Sequence, residues 1–469
     1  MLKQKANCNL WKNPCFSKEK EYIYKSDQGL SKDVVRKISS LKKEPKWMLD
    51  YRLKSFEYFK SKKLPKWGPN LLKLNFDKLC YYIKPTKKHE SSWNDIPLNI
   101  KSSFDDTCVR KIEKQNFAGV GAQYESEIVY HNLKKEWEKK GVIFLGTDQA
   151  LKEFPQIFKE YFGTVVQFND NKFAALNSAF WSGGSFIYIP KGVKVDVPLQ
   201  AYYKIDSQNL GQFERTLIIA DQGSCVSYVE GCTAEMKAEN SLHSAVVEII
   251  AKRGSRVKYY TIQNWTSNIY NLVTKRAVAY KDAIVEWVDC NIGSNVTMKY
   301  PAVILKGDGA KTDMLSLAIA SFSGQIQDSG AKAIHLASNT SSKIISKSIS
   351  SNGGRSSFRG LIKVEKEAKN CKSYVQCDSL IMDNISQADS YPYFDIRQKD
   401  VNIGHEARIS RIEDNKIFYL MSRGVSRDEA QSLIINGFIE SFVKELPFEY
   451  AVEINRLIDF HMKRGGDEK

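Results

Sequence analysis

The chain has 469 residues, 42% of them hydrophobic, and a formal net charge of +16. It contains no run of 18 apolar residues, which excludes a helical membrane span, and its polar first fifteen residues lack the apolar stretch of a signal peptide. The nine cysteines are odd in number, widely spaced and form no CxxC, so thiols in a reducing compartment are expected rather than a disulfide framework.

Residues 1–163 read as a basic, mainly helical region. Residues 1–140 carry 31 Lys and Arg against 17 Asp and Glu, while the remainder is nearly balanced at 39 against 37. The excess is mostly lysine, whereas base-reading proteins favour arginine, so lysine-heavy drift in an AT-rich genome accounts for it better than specific nucleic-acid binding. Residues 33–60 place Trp47, Leu49, Leu53, Phe56 and Phe59 at helical spacing. Residues near 70–130 are polar and irregular, and helical patterns return at His131–Lys140 and Asp148–Phe162.

Residues 164–423 form the second region. Helical periodicity disappears there, and β-branched and aromatic residues alternate with polar ones. Turn anchors at 192, 223, 254, 282, 309, 340, 368 and 400 lie 27 to 32 residues apart. A degenerate repeat of that length in strand-type sequence predicts stacked coils, because one coil cannot bury its own apolar face. The fold expected is mainly β, a right-handed parallel β-helix with helical ends. A β-sandwich would need turns every ~8–12 residues. The ninth residue after each anchor gives Cys232, Gln263, Asn291, Ala318, Ile349 and Cys377, predicting one column with a cysteine at each end.

Residues 424–469 return to helix. Ser426-Arg-Asp-Glu429 is a capping-box pattern, and Ala430, Leu433, Ile434, Phe438, Phe442, Val443 and Leu446 form an apolar stripe. Pro447 ends it, and Phe448–Met462 reads as a second helix. The pair either caps the solenoid or presents a partner surface.

Enzyme motifs fail. Gly307-Asp-Gly-Ala-Lys-Thr312 lacks the spacing of a phosphate loop, and no Gly-x-Ser-x-Gly or His-Glu-x-x-His occurs. A polysaccharide-active β-helix enzyme is the alternative, but it needs clustered carboxylates, and those here are scattered. Cys377 with His405 and Glu406 offers thiolate, imidazole and carboxylate, a ligand set for iron. Cys371 and Cys377 stand ~20 Å apart on an extended strand, so both cannot hold one small cluster. Cys225, Cys290 and Cys371 read as small buried hydrophobes.

At these residues the chain resembles the SufB branch of the SufB/SufD family, iron–sulfur cluster scaffolds of the SUF system. The resemblance is carried by Glu44-Pro-Lys-Trp-Met-Leu49, Phe173-Ala-Ala-Leu-Asn177, Gly211-Gln-Phe-Glu-Arg-Thr216, Tyr228-Val-Glu-Gly-Cys232 and Gln263-Asn-Trp265. Val273-Thr-Lys-Arg276, Gln376-Cys-Asp-Ser379, His405-Glu-Ala407 and Asn436-Gly-Phe438 add to it. It implies a scaffold rather than an enzyme, with a transient iron–sulfur cluster held by Cys377 and Glu406 and His405 nearby. It further implies that Cys232 receives sulfur and that Gln263, Trp265 and Lys275 line its route. The partners implied are the SufC ATPase, docking through Phe438 and Phe442, the SufD paralogue, SufE- and SufS-type sulfur donors and apo-protein acceptors. A reduced flavin is also associated with the family. Of Glu406 and His405, adjacent on a strand and so on opposite faces, Glu406 is the expected ligand.

The sequence also departs from its relatives. Of an N-terminal CxxCxxxC only Cys108 remains, Lys204 and Asp206 replace Arg and Asn, and Gly404 replaces a carboxylate. Lysine richness and the missing transit peptide suggest a plastid-encoded chain, with a bacterial cytoplasm as the alternative.

Overall fold

The computed structural model describes residues 22–86, 92–97, 100, 101, 104, 117–234, 240–447, 450–452 and 454–458, so Cys108 lies outside the described residues. Two sheets, of ten and twelve strands, share the solenoid. In the first sheet the strands Leu199–Ile205, Cys225–Ala234, Arg256–Asn264, Ile284–Ile292, Lys311–Ala320, Ser341–Ser350, Cys371–Ile381 and Val401–Arg411 stack in parallel, in chain order. Between successive members the chain crosses to the second sheet and adds a strand there, such as Val246–Ala251, Tyr270–Ala279 or Arg355–Val364. The result is a β-solenoid of about seven turns with helices toward both ends. One second-sheet strand is split into Val296–Lys299 and Ala302–Leu305, with Pro301, which has no N–H for a ladder bond, at the break.

Left-handed residues punctuate the coils. Those that lead into the first-sheet strands are Gly192, Gly223, Gly254, Asp282, Gly309, Asn339 and Asn370, with φ between 53° and 73°. Asp and Asn enter this region more easily than other side chains. The Asn370 side-chain amide donates to Asn339 Oδ1 at 2.8 Å, and that of Asn339 to Asp308 Oδ1 at 2.8 Å, so the turns are stitched to one another.

This punctuation corrects the expected register. Two anchors belong at Asn339 and Asn370, not at 340 and 368. The observed column is Cys232, Gln263, Asn291, Ala318, Ser348 and Ser379. Ile349, one residue out, joins the outer apolar cluster. Cys377 keeps the inward face but stands two residues earlier, opposite Ser346.

The expected helix over 33–60 is two helices, Lys32–Lys42 and Lys46–Ser61, broken at left-handed Lys43 and at Pro45. The 148–162 pattern likewise divides into Thr147–Glu153 and Pro155–Tyr161. His131 lies in the strand Glu127–Leu133, and only Lys135–Lys139 of that expected helix is helical. The strand Gly119–Tyr124 arises inside the stretch expected to be irregular and pairs with Leu199–Ile205, so sheet pairing outweighs local pattern there. At the other end Arg427–Val443 starts with the full capping box of Ser426 and Glu429. It packs Ile435, Ile439 and Phe442 against Val288, Leu317 and Ile319 on the outside of the first sheet.

Candidate functional site

Alternation sends every second residue of the first sheet into the lumen, so parallel register builds three inward columns. One is apolar: Tyr228, Tyr259, Trp287, Met314, Ile344 and Val375, continuing to His405. Beside it run Glu230, Thr261, Asp289, Ser316, Ser346 and Cys377. The third is the Cys232 column. Polar residues therefore line the core from Cys232 to Cys377, five strand spacings apart, or about 24 Å. Along this path Ser316 Oγ donates to Ser346 Oγ at 3.1 Å.

A dense charged cluster surrounds Cys232. The Gln263 amide nitrogen lies 3.9 Å from Cys232 Sγ, and Glu230 Oε1 lies 3.8 Å from it. Lys299 Nζ donates to Gln263 Oε1 at 3.1 Å, and Asn271 Nδ2 donates to the same oxygen at 2.8 Å. Asn271 Oδ1 is 2.7 Å from His243 Nδ1, while His243 Nε2 meets Glu214 Oε1. The Lys275 ammonium reaches Thr261 Oγ1 and stands 3.4 Å from Asp289 and 3.8 Å from Glu230. The Trp265 ring lies 4.6 Å from that of His243. Thus Cys232, Gln263, Trp265 and Lys275 gather at one end of the lumen, around Cys232, rather than stringing out toward Cys377.

Burial and the Glu230 and Glu214 carboxylates push the Cys232 thiol well up, and Lys275 and Lys299 only partly oppose this. Burial, with Lys275 nearby, brings Lys299 down to about 8 despite Asp289. Asp289 is held below its usual range by Lys275 and Lys299 against its own desolvation.

At the far end, Cys377 is buried and its thiol is raised by desolvation, with the Ser390 and Ser379 hydroxyls pulling the other way. Val375 pairs with His405 and Cys377 with Ala407, so His405 shares the inward face with Cys377. Glu406 points outward, accepting from Tyr374 Oη at 3.0 Å and pairing with Arg408. The strand's alternation thus puts His405, and not the expected ligand Glu406, on the face that Cys377 occupies. Val401–Arg411 is the last strand of its sheet, so His405 and Glu406 both border an open edge.

The expected partner residues are also placed differently. Phe442 is fully buried and Phe438 packs against the solenoid under Lys347, 4.6 Å above its ring. Among the described residues, the large apolar groups exposed on the C-terminal helical region are Phe418, Tyr419, Met421, Leu433 and Val452. Cys290 and Cys371 are buried, and Cys225 is half-buried. Lys204 stands 3.7 Å from Asp206, both buried.

Sequence reasoning missed Glu214, His243, Asn271, Lys299, Glu230 and Asp289. The legible signal was a polar column on the second sheet, Gln212, His243, Asn271 and Thr297, which emerges only once the register is known.

The fold and the site together define a parallel β-solenoid that buries thiols, an imidazole and carboxylates in its own lumen. Residues 203–438 match the model described as SUF system FeS cluster assembly, SufBD core domain, and residues 35–201 match the SufBD protein N-terminal region. The chain is 56% identical over 441 residues to the iron–sulfur cluster assembly protein SufB of Bacillus subtilis, covering 94% of this chain and 95% of the relative. It is 55% identical, with the same coverage, to a SufBD family protein of Staphylococcus aureus, and 54% identical over 448 residues to one of Staphylococcus saprophyticus, covering 96% of each. The chain belongs to the SufB/SufD family, and it is a scaffold of SUF iron–sulfur cluster assembly. The polysaccharide-active alternative is not favoured, and the Glu214, Glu230 and Asp289 carboxylates face the sealed lumen rather than an exterior groove. These relatives are bacterial and lend nothing to the plastid expectation. No helix among the described residues is long and apolar enough to cross a membrane.

Proposed function

We propose that Cys232 accepts sulfur at one end of the lumen and that Cys377 anchors the nascent cluster at the other. The observation that carries this reading is the polar column from Glu230 through Asp289, Ser316 and Ser346 to Cys377, running beside the apolar column of Tyr228, Tyr259, Trp287, Met314, Ile344 and Val375. Gln263 and Lys275 polarise the sulfur at Cys232, and Trp265 closes the wall beside it. His405 supports the cluster from the inward face. Glu406 reaches it only round the open strand edge, after releasing Tyr374 and Arg408.

Sulfur donors of the SufE and SufS type, the SufD paralogue and apo-protein acceptors complete the proposed cycle. The SufC ATPase docks on the C-terminal helices through Phe418 and Leu433, with Phe438 and Phe442 holding those helices in place. A reduced flavin as electron source rests on the resemblance alone. The proposed compartment is a bacterial-type cytoplasm. A plastid rests only on composition.

The test is a pair of variants. After incubation with a persulfide donor, mass spectrometry should find sulfur on Cys232 in Cys377→Ala, with no cluster formed on reconstitution with iron and sulfide. Cys232→Ala should still take a cluster from free sulfide but not from the donor. A Cys377→Ala chain that assembles clusters at the native rate refutes the assignment.

A further inference from the structure

We propose that Glu214, Cys232 and His243 form a binding site for one thiophilic divalent cation inside the lumen, separate from Cys377. Their ligand atoms all lie within 4.8 Å of one another, and all three residues are buried. A tetrahedral ion would draw such atoms to about 3.5 Å apart, a rotamer-scale adjustment.

The hydrogen bonds determine the tautomer. Lys299 has only donors to offer, so the Gln263 atom it meets is the oxygen. Asn271 must then present its nitrogen to that oxygen and its own oxygen to His243. An oxygen facing Nδ1 requires a proton on Nδ1, which leaves Nε2 with its lone pair toward the Glu214 carboxylate. Two acceptors in contact need a cation between them, either a proton or a metal. The same Asn271 bond is the outer support that metal-bound histidines use. Glu214 Oε2 has no hydrogen-bond partner although the residue is 1% exposed, so a buried carboxylate oxygen is left for a ligand.

Charge balance points the same way. The lumen cluster holds Glu214, Glu230 and Asp289 against Lys275 and Lys299, one negative charge in excess when each is counted in its ordinary state. Ionising Cys232 makes two, which a divalent cation cancels. On binding, the thiol proton and the proton shared between Nε2 and Glu214 are released, and no electron moves. Three protein ligands leave a fourth position open, as in metal sites that admit an incoming group. On the sulfur role proposed above for Cys232, the cation is ferrous iron, and that position takes a further ligand. The coordination itself does not depend on that role.

Cobalt(II) reports the site. The full chain, loaded anaerobically both by incubation and by refolding in cobalt chloride, should bind one ion with sulfur-to-cobalt charge-transfer absorption and tetrahedral visible bands. Cys232→Ser should remove the charge-transfer band. His243→Gln and Glu214→Gln should each weaken binding at least tenfold with far-ultraviolet circular dichroism unchanged. Cys377→Ser should keep the band. An absent band in the native chain, or one that survives Cys232→Ser, overturns the proposal and leaves the contact as an imidazolium–carboxylate pair. No sulfur donor is present in this experiment, so its failure leaves sulfur acceptance at Cys232 standing.

Discussion

Replacing Ser316 and Ser346 together by valine tests whether the lumen carries sulfur. The two hydroxyls meet at 3.1 Å in a buried setting, and Ser346 pairs directly with Cys377 across the next coil. Ser346→Val alone strips Ser316 of its acceptor, at about 1 kcal/mol, and adds bulk to a packed core for about 1 kcal/mol more. The double variant leaves no orphaned hydroxyl, so it should be no less stable than the sum of the singles, with a favourable coupling of about 1 kcal/mol. Thermal unfolding should therefore shift by only a few degrees. The path, however, loses both hydroxyls at once. A time course of persulfide transfer, read by mass spectrometry on the Cys232 and Cys377 peptides, should show normal loading of Cys232 and delayed sulfur at Cys377. Native transfer kinetics in a folded double variant would refute the lumen route.

Three further outcomes are expected. His335 is fully buried between Thr340 and Ser342, and desolvation lowers it from 6.5 to about 4. The unfolded chain takes up its proton first as pH falls, so stability present above pH 6.5 is lost toward pH 4, by about 3 kcal/mol. Denaturant melts of His335→Gln should lack that part of the native acid slope, and parallel slopes would contradict the assignment. Phe418→Asp and Leu433→Asp should abolish co-purification with the ATPase partner while the fold stays intact, whereas Phe442→Asp should unseat the helix by burying an unpaired charge. Partner binding that survives both exposed-site changes would move the interface elsewhere. Asn370→Val should cost about 2 kcal/mol, by forcing a β-branched residue to positive φ and cutting the bond to Asn339, and Asn370→Gly should cost clearly less. Equal losses in urea melts would show that conformation is not what selects Asn there.

What the sequence determined by itself was whatever is written locally. The turns at Gly192, Gly223, Gly254, Asp282 and Gly309, with alternating strands between them, are enough to demand stacked coils, since a single coil has no partner for its apolar face. The capping box at Ser426 and Glu429 was equally legible, because every atom it uses lies within four residues. The motifs around Cys232, Cys377 and His405 pointed to the family on the same local footing.

Only the tertiary structure decided the site. His243 meets Glu214 and Asn271 from 29 and 28 residues away, across coils, and no local pattern encodes such contacts. Shifting an anchor by one residue turns every side chain to the other face, which is how Ile349 was misplaced inside the lumen. The division between His405 and Glu406 followed from the same alternation, once pairing with Val375 and Gln376 set the face of each. The burial of Phe442 depended on which side of the helix the solenoid covers. An amphipathic stripe looks the same whether its partner is another protein or the chain's own sheet, and only the packed fold tells them apart.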